Sequence, residues 1–117
     1  MVILTKKIKK DLIENFDNNV PQFDTDPDFK PVVKLFGGSA CTWLLTELNP
    51  KSNIAFGLCD LGFGTPELGY VSMDELLALK FPPFGLPIER DMHWEANKTI
   101  MEYTKEASEL GYIKANY

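Results

Sequence analysis

Three turn signals, closely spaced along the middle of the chain, constrain its fold more than any other feature. They are Gly37-Gly38-Ser39, Asn49-Pro50-Lys51-Ser52-Asn53 and the glycine-rich run 62–66. Glycine, asparagine and proline favour tight turns because of their backbone preferences. Parallel strands need crossover connections of about a dozen residues or more, and these connections are much shorter. The sequence therefore predicts an antiparallel meander.

The segments between these turns have the pattern of short β-strands. We predict strands over Pro31–Phe36, Cys41–Leu48, Ile54–Leu61 and Leu68–Val71, and an extended edge segment over Ile88–Trp94. Alternation along the second strand predicts two faces, one with Thr42, Leu44, Thr46 and Leu48 and the other with Trp43, Leu45 and Glu47.

The register of the hairpin around Pro50 decides how the two cysteines are related. A turn symmetric about residues 51 and 52 places Cys59 opposite Leu44 and directs Cys41 to the other face. A slip of one residue reverses this relation, because side chains alternate along a strand. The predicted register therefore disfavours a disulfide.

Helical signals flank the strands on both sides. Thr5 is a suitable N-cap for the first helix, and Ser72 with Glu75 forms a capping box for the second. The predicted helices run over about Lys6–Phe16, from Met73 to Leu79 or Lys80, and from Asn97 or Lys98 to a stop at Gly111. We therefore expect an α+β fold, with an antiparallel meander sheet of four to five strands and an N-terminal, a short central and a C-terminal helix. The 117 residues suit a single domain.

Residues 17–31 are rich in aspartate, asparagine and proline, and we interpret them as a loop. An alternating run there is similar to a calcium-binding loop: Asp24, Asp26 and Asp28. An EF-hand loop needs glycine at its sixth position and glutamate at its twelfth, where this chain has Phe29 and Leu35. The pattern therefore does not predict calcium binding.

Composition indicates a cytoplasmic protein without a membrane association. No apolar run approaches the roughly 18 residues that a transmembrane helix requires. The apolar start of the chain precedes its lysines, whereas a secretory signal has the reverse order. Two cysteines without CxxC spacing and a single histidine predict neither a disulfide framework nor a zinc site. We expect no metal and no cofactor.

The charge balance argues against nucleic acid as a partner. The chain has 17 acidic and 12 basic residues, a formal net charge of −5. Tight nucleic-acid binding depends on clustered basic side chains that neutralise phosphates. One basic cluster is present, at the start of the first helix: Lys6, Lys7, Lys9 and Lys10. We interpret it as a solvated helix face, with salt-sensitive nucleic-acid binding as the alternative.

The glycine turn at 62–66 has two interpretations. A phosphate-binding loop of the Walker type needs a lysine and a following helix, and here a predicted strand follows instead. Asp60 and Glu67 would also repel a phosphate, so we interpret the glycines as structural. The same two carboxylates flank the turn of the predicted hairpin, and a close pair can bind a cation or perform acid–base chemistry.

A second group of polar residues lies in the edge segment. Alternation predicts Glu89, Asp91 and His93 on one side and Arg90 and Trp94 on the other. Histidine titrates near neutral pH, so this segment is a candidate ligand site, which the Asp60 turn would complete if the two meet. The full candidate set is Trp43, Glu47, Asp60, Glu67, Glu89, Arg90, Asp91 and His93. No serine or cysteine nucleophile motif is present.

Three stretches carry a resemblance to a known family. They are CTWLLTELNP, AFGLCDLGFGTPELGYVSMDELLAL and FGLPIERDMHWEANKTIMEY. Together they resemble the bacterial domain of unknown function 2958 family, and LTKKIKKDLIENF fits its opening helix. The resemblance implies a small α+β protein that is often carried on plasmids, conjugative elements or phage-like regions. It implies no established activity.

Three functions are consistent with these observations. The leading hypothesis is a non-catalytic accessory protein of a mobile genetic element that acts through a protein partner. The second is a small-molecule or metal-dependent enzyme or sensor, built from Glu47, Asp60, Glu67, Glu89, Asp91 and His93. The third is an anti-defence protein that mimics the charge of nucleic acid, which would need acidic residues clustered on one face.

Overall fold

The computed structural model describes residues 1–19 and 28–115. Within these ranges the chain forms three α-helices and a five-stranded antiparallel sheet, which confirms the predicted α+β fold. The helices are α1 (Lys6–Asn18), α2 (Met73–Ala78) and α3 (Ile100–Leu110), and the strands are β1 (Val33–Gly37), β2 (Cys41–Asn49), β3 (Ile54–Asp60), β4 (Glu67–Ser72) and β5 (Glu89–Arg90). Part of the predicted 17–31 loop, with Asp24 and Asp26, lies outside the described residues.

The strands follow the order β4-β3-β2-β1-β5, so the first four form the predicted meander. β5 pairs with β1 and is the edge strand expected near the end of the sequence. It is shorter than predicted because the chain leaves the sheet after Arg90. Asp91 N still donates to Lys34 O at 3.0 Å, and His93 then adopts φ 68°, a left-handed conformation that ends the extended run.

A β-bulge in β2 changes the register that the sequence predicted. From Asn49–Ile54 to Glu47–Phe56 the pairs follow the predicted symmetric hairpin. The next pair is Leu45–Gly57, so Thr46 has no paired residue on β3. The prediction that Cys59 lies opposite Leu44 is therefore wrong, because Trp43 occupies that position.

The same bulge corrects the predicted faces of β2. Leu48 packs with Trp43 and Leu45 in one buried cluster, although simple alternation separates them. Glu47 pairs with Phe56 and lies on the opposite face, the one that carries Leu44. The predicted grouping of Glu47 with Trp43 is therefore wrong, and the extra residue in β2 is the physical reason.

Helices cover both faces of the sheet. The α1 face, which carries Trp43, packs against α1 and α2 through Leu12 and Met73. The α3 face, which carries Leu44, packs against α3 through Ile100 and Tyr103. None of the helices in the described ranges is long and apolar enough to cross a bilayer.

The helix ends follow the capping signals. Thr5 Oγ1 accepts a hydrogen bond from Ile8 N, and Ser72 Oγ accepts one from Glu75 N. α3 begins later than predicted, because Thr99 and Glu102 form a reciprocal capping box ahead of Ile100. Gly111, in the left-handed conformation, ends α3 as the sequence predicted.

Both cysteines lie on the α1 face, and both are free thiols. The bulged register makes Cys41 and Cys59 diagonal neighbours, with Cα atoms roughly 7–8 Å apart. A disulfide needs a Cα separation of at most about 6.8 Å. The pair is therefore too far apart to be bridged without a backbone movement.

We expect Cys59 to be alkylated roughly a hundredfold more slowly than an ordinary thiol at about pH 8. Burial raises the pKa of the Cys59 thiol from 9.0 to about 11, and the thiolate is the reactive form. Iodoacetamide labelling of a Cys41→Ser variant, followed by mass spectrometry, measures this rate. The rate should rise about tenfold per pH unit until the pH nears the pKa. Rapid labelling at neutral pH would contradict the expectation.

Candidate functional site

The two halves of the composite site predicted from the sequence do not meet. Glu67 begins β4 and Glu89 begins β5, and these strands are the opposite edges of the sheet. Four strand spacings of about 4.8 Å separate them, roughly 19 Å in all. The acidic residues of the glycine turn and those of the 89–93 segment are therefore not one site.

Asp60 and Glu67 flank the glycine turn, but their side chains lie on opposite faces. Glu67 pairs with Cys59, the neighbour of Asp60, and adjacent residues of a strand point in opposite directions. Asp60 is 4% exposed, and its two carboxylate oxygens accept hydrogen bonds from Gly62 N at 2.9 Å and Ile113 N at 3.1 Å. Asp60 therefore joins the turn to the segment after α3. Glu67 is exposed to solvent.

The glycines of this turn have the structural role that the sequence predicted. Gly62 and Gly64 have φ of 86° and 83°, which residues with a side chain rarely adopt. Strand β4 follows the glycines, as predicted, where a Walker-type loop would be followed by a helix.

Arg90 and Asp91 make contacts that hold the architecture together. Arg90 Nη1 donates hydrogen bonds to Val2 O and Ile3 O, both at 3.0 Å, and so fastens the start of the chain to the sheet edge. The Asp91 carboxylate forms a salt bridge with Lys34 Nζ at 3.2 Å. These contacts are structural.

The remaining residues of that segment do not converge. Trp94 is buried, and its indole Nε1 donates to Ala115 O at 2.8 Å. Glu89 and His93 are exposed. Trp43, on the central strand β2, is a buried core residue of the α1 face. The described part of the chain contains no group of three or more His, Cys, Asp or Glu side chains placed to hold a metal ion.

Glu47, one of the predicted site residues, borders a cavity. The cavity measures about 720 Å³, within the usual range of small-molecule sites. It lies between the end of α1, strands β2 to β4 and the start of α3. Its lining residues are Phe16, Asn19, Glu47, Asn49, Ser52, Ile54, Phe56, Leu68, Tyr70, Ile100 and Met101.

Polar and aromatic groups meet in this cavity. Glu47 is 6% exposed, and its Oε1 accepts a hydrogen bond from Asn19 Nδ2 at 2.6 Å. The rings of Phe56 and Tyr70 form a tilted pair with centroids 5.1 Å apart. Sequence reasoning missed Phe56, Tyr70 and Met101. The predicted hairpin already paired Glu47 with Phe56, but no local pattern shows that the end of α1 and the start of α3 enclose a cavity beside this pair.

A second surface lies where the two glycine-containing turns meet. Gly62 approaches Ala40, since a Cβ placed on Gly62 would lie 2.9 Å from the Ala40 side chain. The Phe81 ring covers Gly37 and Gly38, leaving no room for a side chain at either glycine. These contacts bring the β1–β2 turn, the β3–β4 turn and the 81–86 loop to one end of the sheet.

This end of the sheet exposes six large apolar side chains, which we call the apolar end: Leu61, Phe63, Phe84, Leu86, Leu110 and Tyr112. The end of α3 reaches it, because a Cβ on Gly111 would lie 3.5 Å from Gly64 O. Phe63 and Phe84 are each 83% exposed. A signal for both was present in the sequence, since each aromatic residue lies inside a glycine- or proline-rich loop.

Comparison with known proteins gives a family without a known activity. A family model described as "Protein of unknown function (DUF2958)" matches residues 3–114, nearly the whole chain. This match confirms the resemblance drawn from the sequence. Neither the curated proteins nor the solved structures yielded a match.

Proposed function

This chain belongs to the DUF2958 family, and we propose that it is a non-catalytic accessory protein that binds a protein partner through its apolar end. One observation carries the proposal. Phe63 and Phe84 are the most exposed large apolar side chains of the described residues, and both lie at the same end of the sheet. Clustered exposed apolar groups are typical of protein interaction sites, and aromatic residues often dominate their energetics.

Both phenylalanines stand on constrained loops. The turn that carries Phe63 is held by the Asp60 carboxylate through Gly62 N. The loop that carries Phe84 is closed by Phe81 N donating to Leu86 O at 2.8 Å and by Gly85 N donating to Phe81 O at 2.8 Å. Binding through such loops costs little additional ordering of the backbone, which favours affinity.

The positions of the charged residues favour protein binding over the two alternatives, an enzyme or sensor and a mimic of nucleic acid. The predicted enzyme or sensor site is divided between opposite sheet edges. A mimic of nucleic acid needs uninterrupted negative charge, whereas acids and lysines are interleaved along α1. Lys7 pairs with Asp11 at 2.9 Å, and Lys10 pairs with Glu14 at 3.8 Å. The same pairing leaves α1 less suited to bind phosphates.

The role in a mobile genetic element is the part of the proposal that the family resemblance supports. It predicts that deleting the gene alters the transfer or maintenance of the element that carries it. Transfer frequency with and without the gene, and with a complementing copy, measures that effect. An unchanged transfer frequency under all conditions would contradict the role in a mobile genetic element and leave only the protein-binding part of the proposal.

We expect Phe63→Ser combined with Phe84→Ser to weaken partner binding by about tenfold or more. Cross-linking and affinity capture from the native host identify the partner, and titration of the purified pair then measures Kd. Leu77→Ser is the matched control, since Leu77 is also exposed but lies on α2, away from the apolar end. All variants should keep the thermal stability of the wild type because the replaced side chains are exposed. Equal Kd values for the double variant and the control would contradict the proposal, as would turnover by the purified protein without a partner.

A further inference from the structure

We propose that the cavity bordered by Glu47 binds a small organic cation, an amine with an apolar body. The proposal is independent of the apolar end, because the cavity lies on the α3 face and uses none of those side chains. Its basis is the combination of a buried carboxylate, a neighbouring amide oxygen and aromatic walls in a cavity of molecular size.

The electrostatics of the cavity select for positive charge. Among the described residues, Glu47 is the only lining residue with a carboxylate, and no lysine, arginine or histidine lines the cavity. Glu47 is 6% exposed, so its charge is poorly screened by water. Opposite charges attract more strongly in such a setting than at an exposed surface. A cationic ligand is therefore favoured over a neutral or anionic one.

Hydrogen-bond acceptors favour an ammonium group in particular. Asn19 Nδ2 donates a hydrogen bond to Glu47 Oε1. The Asn19 Oδ1 atom is buried and accepts no hydrogen bond from the described residues. The two acceptors therefore lie side by side. A carboxylate can accept about four hydrogen bonds, so Glu47 can bind a ligand in addition to the partners that it already has in the folded chain. A primary ammonium has three N–H donors and can reach both residues.

The apolar walls define the rest of the ligand. Phe56 and Tyr70 present their rings at 58° to each other, an arrangement that offers an aromatic face to a cation. Ile100 and Met101, from the start of α3, also line the cavity. A ligand with an aromatic or aliphatic body and one amine matches both surfaces.

Benzylamine is a suitable probe, with benzyl alcohol as its neutral analogue and benzoate as its anionic analogue. Titration followed by heteronuclear NMR should shift the backbone amides of Tyr70 and Met101 with benzylamine and leave them unchanged with benzoate. Glu47→Gln should weaken benzylamine binding by about tenfold or more, since it removes the charge and keeps the shape. Glu67→Gln, an exposed acid at the start of β4, should leave the affinity unchanged.

A second variant covers the case in which Glu47→Gln does not fold. Tyr70 is 79% exposed, so Tyr70→Ala should fold normally and lose several-fold in affinity, while Tyr70→Phe retains it. The proposal is overturned if benzylamine shifts no cavity amide in the wild type. It is also overturned if benzyl alcohol binds as tightly, or if Glu67→Gln weakens binding as much as Glu47→Gln.

Discussion

Replacing Gly57 with alanine should lower the free energy of unfolding by about 3 kcal/mol or more. Gly57 lies in β3 opposite the bulge of β2. A Cβ at this position would overlap the Leu44 carbonyl oxygen and lie 2.8 Å from Leu45 Cα. Both are backbone atoms of a central strand, so they cannot move aside without breaking the pairing of β2 with β3. The methyl group must therefore disrupt the middle of the sheet.

Gly69→Ala is the matched control for this change. Gly69 is the residue paired with Gly57 on β4, and a Cβ there would have no atom within 4 Å. The alanine should change the free energy of unfolding by less than about 1 kcal/mol, with a gain if the lower entropy of the unfolded chain dominates. Urea denaturation followed by circular dichroism measures both variants. Equal stability of Gly57→Ala and Gly69→Ala would refute the proposed steric conflict.

Replacing Asp60 with alanine should lower the free energy of unfolding by about 2–4 kcal/mol. The buried carboxylate accepts hydrogen bonds from Gly62 N and Ile113 N, and its loss removes the acceptor of both. Hydrogen bonds to charged groups are stronger than neutral ones, and unpaired buried donors are costly. The turn and the segment after α3 should loosen together.

Two further variants separate the role of Asp60 from a general effect of charge. Asp60→Asn should be intermediate, because its one amide oxygen can replace only part of the acceptor capacity of a carboxylate. Glu67→Ala, which removes an exposed acid near the same turn, should leave stability almost unchanged. Hydrogen exchange at Gly62 and Ile113 should accelerate in Asp60→Ala. Unchanged exchange at both amides would show that Asp60 does not hold these segments.

The Asp60 contacts also connect stability with the proposed function. Asp60 holds the turn that carries Phe63, so Asp60→Ala should weaken partner binding although the carboxylate does not lie at the surface. In contrast, the cavity at Glu47 uses other residues, and its affinity for benzylamine should persist as long as Asp60→Ala remains folded. Measuring both affinities in one variant distinguishes the two surfaces.

The amino-acid sequence by itself determined the elements of this fold. The turn residues around Gly37 and Pro50 predicted where strands end, and Thr5 and Gly111 predicted where helices begin and end. These features depend on backbone preferences and caps that act over a few neighbouring residues, so a single chain segment contains the information. The pattern of the meander followed from the shortness of the connections.

Only the tertiary structure decided where the candidate residues lie relative to one another. The bulge at Thr46 placed Glu47 on the face opposite to Trp43 and Leu45, and the strand order placed Glu67 and Glu89 at opposite edges. Register and strand order result from packing summed over both faces of the sheet, and no local pattern in β2 reveals where one extra residue improves that packing. The cavity and the apolar end both depend on which segments the folded chain brings together.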